Sequence, residues 1–233
     1  MRHVRPFAVC FLLLALASAP ALAADWPQWL GAERNGISNE TGLNTSWAKP
    51  GPKVLWKQAM GGGFSSLAVA GGRVYSMVAD ADKEQVVCLD GTSGKLRWMA
   101  PVGKVFDDSM GGDGPRSTPS VVGRDVIAFG AHGRLAVLDA ATGRVRWKRE
   151  VVGQDGGDVP KWGYSQSPLV QGGRIFVDIG GAQGRGLMAY DQKTGEPVWS
   201  VGNFKAGYSS PLGFSVSGTP VVAFFTGRAI TLA

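Results

Sequence analysis

"DAATGRVRW", residues Asp139 to Trp147, sets an aspartate, a Thr-Gly pair and a tryptophan at offsets that recur elsewhere in the chain. Asp90, Gly94 and Trp98 in "DGTSGKLRW" and Asp191, Gly195 and Trp199 in "DQKTGEPVW" repeat the spacing of plus four and plus eight that Asp139, Gly143 and Trp147 define. A hairpin closing over Asp-x-x-Thr/Ser-Gly needs a side-chain acceptor at its first position to bond backbone N–H groups two and three residues on. It needs glycine where the backbone turns to positive φ. Asp90, Asp139 and Asp191 are therefore expected as turn caps. The tryptophan four residues beyond each glycine falls on the last strand of its unit and is large enough to wedge between neighbouring sheets.

Working outward, each unit opens on a serine-rich segment: "FSSLAVAGGRVY" from Phe64, "RSTPSVVGRDVI" from Arg116, "SQSPLVQGGRIF" from Ser165 and "YSSPL" from Tyr208. A short β-branched strand follows, then a Gly-rich hinge, a third strand ending at the aspartate and a fourth ending at the tryptophan. Short alternating strands separated by turn residues, with no helical period beyond the N-terminal apolar run, predict an all-β repeat protein. Trp56, Trp98, Trp147 and Trp199 stand 42, 49 and 52 residues apart, the length of a four-stranded propeller blade. Trp56, in "GPKVLWK", has no aspartate turn before it and reads as an outer strand lent to the last blade of a ring. The expected layout is a lead-in over 24–52, a strand over 53–59, blades at about 64–98, 114–147 and 163–199, and a partial blade over 207–233. That amounts to about three full blades plus parts of two others.

Residues 1–23 read as a cleaved secretory signal: Arg2 and Arg5, an apolar run about ten residues long, and small residues at Ala21 and Ala23. The run is shorter than the roughly 20 residues of a membrane span. The mature chain is expected outside a bacterial cytoplasm, periplasmic or secreted, with no transmembrane segment. Cys88 is then the one remaining cysteine, expected as a buried thiol within an apolar strand. The formal charge of +6 falls to +4 without the two signal arginines, and the basic residues are scattered singly, which argues against nucleic acid.

The Asp-x-x-Thr-Gly-x-x-x-Trp repeat resembles the tryptophan-docking repeat of the pyrroloquinoline quinone (PQQ)-like β-propellers. The opening "DWPQWLGAERNGIS" followed by "LWK" is similar to the N-terminus of secreted bacterial members of that superfamily. The resemblance implies a ring of seven or eight blades and two functional branches. Quinoprotein dehydrogenases of alcohols or sugars hold PQQ and calcium in the central funnel under an adjacent-cysteine disulfide, with an aspartate as base. This chain has no Cys-Cys pair, and no residue of it matches the calcium ligands or the base. The other branch, which includes the outer-membrane assembly scaffold, binds protein partners through loops and edges. The favoured reading is a non-catalytic binding or scaffold module with an envelope protein or small ligand as partner. The alternative is a PQQ-dependent dehydrogenase.

The connectors that precede each first strand gather at one mouth of a propeller and supply the candidate site: Asp113 and Arg116, Trp162 and Tyr164, Tyr208 and Ser209, with Arg228. Arginine with aromatics at a concave mouth suits an anionic or planar ligand, or a peptide. The competing reading has Tyr164 and Tyr208 filling space between blades and Arg116 paired with a carboxylate. His132 in "GAHGR" reads as a surface turn, "DDSMGGDG" (107–114) as a solvated connector that fails calcium-loop spacing, and "GGAQGRG" (180–186) as the hinge between second and third strands. No metal site is expected.

Overall fold

The computed structural model describes residues 24–44, 46–49 and 51–233. The expected signal segment lies outside the described residues. Three four-stranded antiparallel sheets and one three-stranded sheet follow each other along the chain as propeller blades. Blade 1 contains β1 (Ala68–Ala70), β2 (Arg73–Asp80), β3 (Lys83–Asp90) and β4 (Leu96–Lys104). Blade 2 contains β5 (Ser120–Val122), β6 (Asp125–Phe129), β7 (Arg134–Asp139) and β8 (Val145–Glu150). Blade 3 contains β9 (Leu169–Gln171), β10 (Arg174–Asp178), β11 (Leu187–Asp191) and β12 (Pro197–Val201). Blade 4 contains β13 (Leu212–Val216), β14 (Thr219–Phe225) and β15 (Ile230–Leu232). First strands touch first strands, β1 with β5, β5 with β9 and β9 with β13, which sets them innermost.

The strand period of two divides each blade between its neighbours. On β6, Val126 and Ala128 enter the core shared with blade 1, whereas Ile127 and Phe129 enter the core shared with blade 3. On β10, Ile175 and Val177 face blade 2 while Phe176 packs with Val222 and Phe224 of blade 4. A sheet covered on both faces needs apolar residues at consecutive positions, which is why these strands read as unbroken hydrophobic runs.

The aspartates close their hairpins. Asp139 Oδ1 accepts the N–H groups of Ala141 and Thr142, both at 3.1 Å, and the Thr142 hydroxyl at 3.0 Å; Asp90 and Asp191 bond their own turns in the same way. Gly94, Gly143 and Gly195 hold φ of 69°, 73° and 76°. Their missing side chains also matter for packing. A Cβ on Gly94 would lie 2.5 Å from the Trp56 ring, one on Gly143 2.5 Å from Trp98, and one on Gly195 2.7 Å from Trp147. Each indole N–H donates to the carbonyl just after the aspartate: Trp56 to Gly91 at 3.0 Å, Trp98 to Ala140 at 3.1 Å and Trp147 to Gln192 at 2.9 Å. Thus a tryptophan from one unit lies over the glycine of the next.

A second ladder joins the first strands. Thr118 Oγ1 accepts from Ser66 N–H at 3.0 Å, Ser167 Oγ from Thr118 N–H at 2.9 Å, and Ser210 Oγ from Ser167 N–H at 2.8 Å. The serine-rich openings of the units thereby satisfy the N–H groups of the buried Thr118 and Ser167, which would otherwise lack partners.

Two expectations need correction. Residues 53–59 form no strand, since no neighbouring strand among the described residues offers them a ladder, although Trp56 still packs on blade 1. The fourth strands run past their tryptophans to Lys104, Glu150 and Val201, because the third strands they pair with extend that far. The all-β expectation holds apart from one short helix, α1 (Val151–Asp155), after β8; Asp155 in it accepts two hydrogen bonds from Arg149, each at 2.7 Å, and one from the Tyr190 hydroxyl at 2.8 Å.

Candidate functional site

In an antiparallel meander the turns alternate between sheet ends. The connectors between blades therefore emerge at the same end as the second hairpin of each blade (β2–β3, β6–β7, β10–β11), opposite the aspartate turns. At this end Phe64, Asp108, Met110, Gly111, Arg116 and Trp162 line a cleft of about 390 Å³. Phe64 is 55% exposed, Met110 80% and Trp162 43%. Trp162 packs at a tilt of 43° against Tyr208, 42% exposed, at a centroid distance of 5.5 Å, with the Lys161 ammonium 5.2 Å from the indole centroid. One apolar surface is thus built by connectors arriving at four successive blades.

Arg116 does not offer its charge to this cleft. Its guanidinium is ion-paired to Asp108 at 2.9 Å, bonds the carbonyls of Gly112 and Gly114, and lies over the rings of Phe106 and Phe64 at 4.8 and 5.5 Å. Such a largely desolvated guanidinium, with three hydrogen bonds to its own loop, shapes the connector rather than awaiting an anion. Asp113 accepts the Asp108 N–H at 2.8 Å, while hydrogen bonds from the N–H groups of Met110 and Gly111 and from Arg116 hold the Asp108 carboxyl below its usual range. The 107–114 loop is organised by its own acids.

Tyr164 is also corrected: it is fully buried, its ring 4.9 Å from Phe129 and its hydroxyl donating to the Ile179 carbonyl at 2.7 Å. Burial drives its phenol pKa upward. It belongs to the core between blades 2 and 3. Ser209 and Arg228 are exposed but do not line the cleft. His132 is exposed in its turn, with Nε2 3.2 Å from the Val105 carbonyl, and 180–186 joins β10 to β11. Of the four cleft residues the candidate set lacks, Phe64, Asp108, Met110 and Gly111, the two apolar ones carry no signal beyond standing beside glycines.

Beneath the connectors lie two buried carboxyls. Glu84, at the start of β3, is fully buried; its Oε2 accepts the Ala131 N–H of blade 2 at 3.0 Å and its Oε1 has no partner. Desolvation pushes its pKa up to about 7, against the pull of N–H donors from Ala131 and Phe106 and of Arg116. Asp178, 3% exposed, accepts from Gly180 N–H at 3.1 Å and from Gly207 N–H of blade 4 at 2.9 Å; burial pushes its pKa up to about 6.

The family described as outer membrane protein assembly factor BamB, a PQQ-like repeat family, matches residues 45–115 and 107–232. The chain belongs to that family. Tetrathionate hydrolase of Acidithiobacillus ferrooxidans is 25% identical to it over 173 residues, covering 71% of this chain and 33% of the relative. The chain thus spans about a third of that relative's length. Among solved structures, the quinohemoprotein alcohol dehydrogenase from Comamonas testosteroni is similar with a TM-score of 0.53 and 25% identity, over 77% of this chain and 28% of that one. A europium-containing methanol dehydrogenase is similar in fold with a TM-score of 0.50 and 18% identity, over 70% of this chain and 38% of that one. These likenesses support the PQQ-like propeller.

The residues present do not fit a PQQ-calcium cradle. Trp162 already packs at a tilt against Tyr208, the Asp108 carboxylate is spent on Arg116, and among the described residues no group of three His, Cys, Asp or Glu side chains converges. No helix among the described residues is long and apolar enough to cross a membrane.

Proposed function

We propose that this chain is a non-catalytic binding module working outside the cytoplasm, and that it takes hold of an envelope protein through its connector face. The observation that carries the reading is the exposed surface formed by Phe64, Met110, Trp162 and Tyr208 around the cleft. Clustered aromatic and methionine side chains are the anchors by which protein interfaces gain most of their affinity, and single exposed apolar residues are common but contiguous ones are not. Membership of a family described as an assembly factor supports the same reading. Tryptophans laid over the glycines of the following unit are, on this reading, the docking device that keeps the face rigid.

A photo-crosslinking amino acid at Met110, in cells, tests it. A discrete envelope-protein adduct that disappears in the F64A/W162A/Y208A variant is expected. The variant should keep its melting temperature, because these side chains are exposed. An adduct unchanged by the triple substitution would refute the reading. A second reading, oxidation of an alcohol with PQQ and calcium, is favoured by the fold likeness to the two dehydrogenases; alcohol-driven dye reduction with added PQQ and calcium is its test.

A further inference from the structure

The opposite end of the propeller, where the aspartate turns lie, has a different character. Two cavities of about 400 and 540 Å³ adjoin there and share Arg124, Asp139 and Ala141. The first also has Arg73 and the lead-in residues Asp25 and Pro27; the second has Arg144 and Arg146.

Which of these charges are free can be read from their partners. Arg146 is spent on Asp139 at 2.7 Å and Asp125 at 3.2 Å, and Arg73 donates to the Ala140 carbonyl at 2.8 Å. Asp139 is committed to its own turn and to Arg146, Asp125 to Arg146 and Gln192, and Asp25 accepts the Gly71 N–H. The Arg124 side chain is 86% exposed, and its nearest acid, Asp139, is 3.8 Å away, beyond hydrogen-bond reach. Arg144 makes no side-chain hydrogen bond or ion pair among the described residues. Asp125 and Asp139 are turned to Arg146 and Asp25 lies exposed against the Gly71 N–H, which leaves over the cavities the Arg144 guanidinium and that of Arg124, held to Asp139 only at 3.8 Å.

The repeat supplies an internal control. Arg124 occupies a hairpin position where the other blades have Gly72, Gly173 and Gly218, all at positive φ. Arg144 stands where blades 1 and 3 have Lys95 and Glu196. The fold tolerates glycine at the first position and either charge at the second, so neither arginine is required for the blade. Two guanidiniums presented together are suited to fork-type bonding of an oxyanion.

We propose that the hairpin face of blade 2 binds an oxyanion of the phosphate class between Arg124 and Arg144. The source is a free phosphate or the phosphate of a lipid headgroup. The test compares the native chain with Arg124→Gly/Arg144→Glu, residues borrowed from its own other blades, at constant ionic strength set with chloride. Titration calorimetry with inorganic phosphate, and flotation with phosphatidylglycerol against phosphatidylcholine vesicles, are the two arms. Saturable phosphate binding weakened at least about tenfold in the variant supports a free phosphate. Flotation on anionic vesicles alone, lost in the variant, supports the same site with a lipid headgroup in it. Equal binding by both chains, or none in either arm, overturns the proposal; unchanged melting of the variant in chloride confirms that a loss is not unfolding.

Discussion

Replacing Glu84 by glutamine should flatten the pH dependence of stability. The folded carboxyl titrates at about 7 against an ordinary value of 4.5, with burial as the main cause. Between those values the unfolded chain has released this proton while the folded chain retains it. Stability from this group is thus fully present below pH 4.5 and is lost as pH rises to about 7. A shift of this size corresponds to roughly 2–4 kcal/mol, or on the order of 5–10 °C in Tm for a chain of this length. Glutamine keeps an acceptor for the Ala131 N–H and is neutral throughout. Thermal melts of both chains from pH 4.5 to 8 should therefore converge at the acid end and separate toward pH 8, with E84Q the more stable. Taking the difference between the two removes the slope that Asp178, raised to about 6, adds to each. Parallel melting curves at every pH would refute the reasoning.

Two further outcomes follow from the blade junctions. Trp147→Ala should cost about 3–5 kcal/mol, and more than any single cleft substitution, since its ring covers Gly195 and its N–H bonds Gln192; urea midpoints equal to the native chain's would contradict this. Thr118→Val keeps the shape of the side chain but removes the acceptor of the Ser66 N–H, with an expected loss of about 0.5–1.5 kcal/mol by chemical denaturation.

The blades were legible because a hairpin cap, a glycine and a tryptophan at fixed offsets express local geometry, and local geometry is written in adjacent residues. The site was legible only in part. Trp162 and Tyr164 stand two residues apart in one connector, yet one is half-exposed and the other fully buried, and only the position of Phe129 and Ile179 in neighbouring strands separates them. Arg116 has its carboxylate eight residues away, in the loop set aside as a connector. Glu84 lies in the charged stretch "ADKEQ", and nothing in that stretch shows that Ala131 of the next blade is laid over it. The register of the serines was visible, but a hydroxyl that accepts from a backbone N–H 52 residues upstream leaves no mark in the sequence.

The lead-in segment has a consequence for how the chain is made. Trp26 bridges Val69, the Pro27 carbonyl accepts from Val121 N–H, and Arg34, 5% exposed, bonds the carbonyls of Ser167 and Pro168 at 2.9 and 3.2 Å. Residues translated before blade 1 therefore touch blades 1, 2 and 3 in succession. Arg34 can reach its seat only after 133 further residues have been translated and blade 3 has formed. Until then it must stay in water, as the low cost of solvating a guanidinium allows; once seated, it is desolvated enough for its pKa to fall to about 10. A segment translated before any of these three blades is thus among the last to dock, binding them together as a strap is fastened over a finished stack.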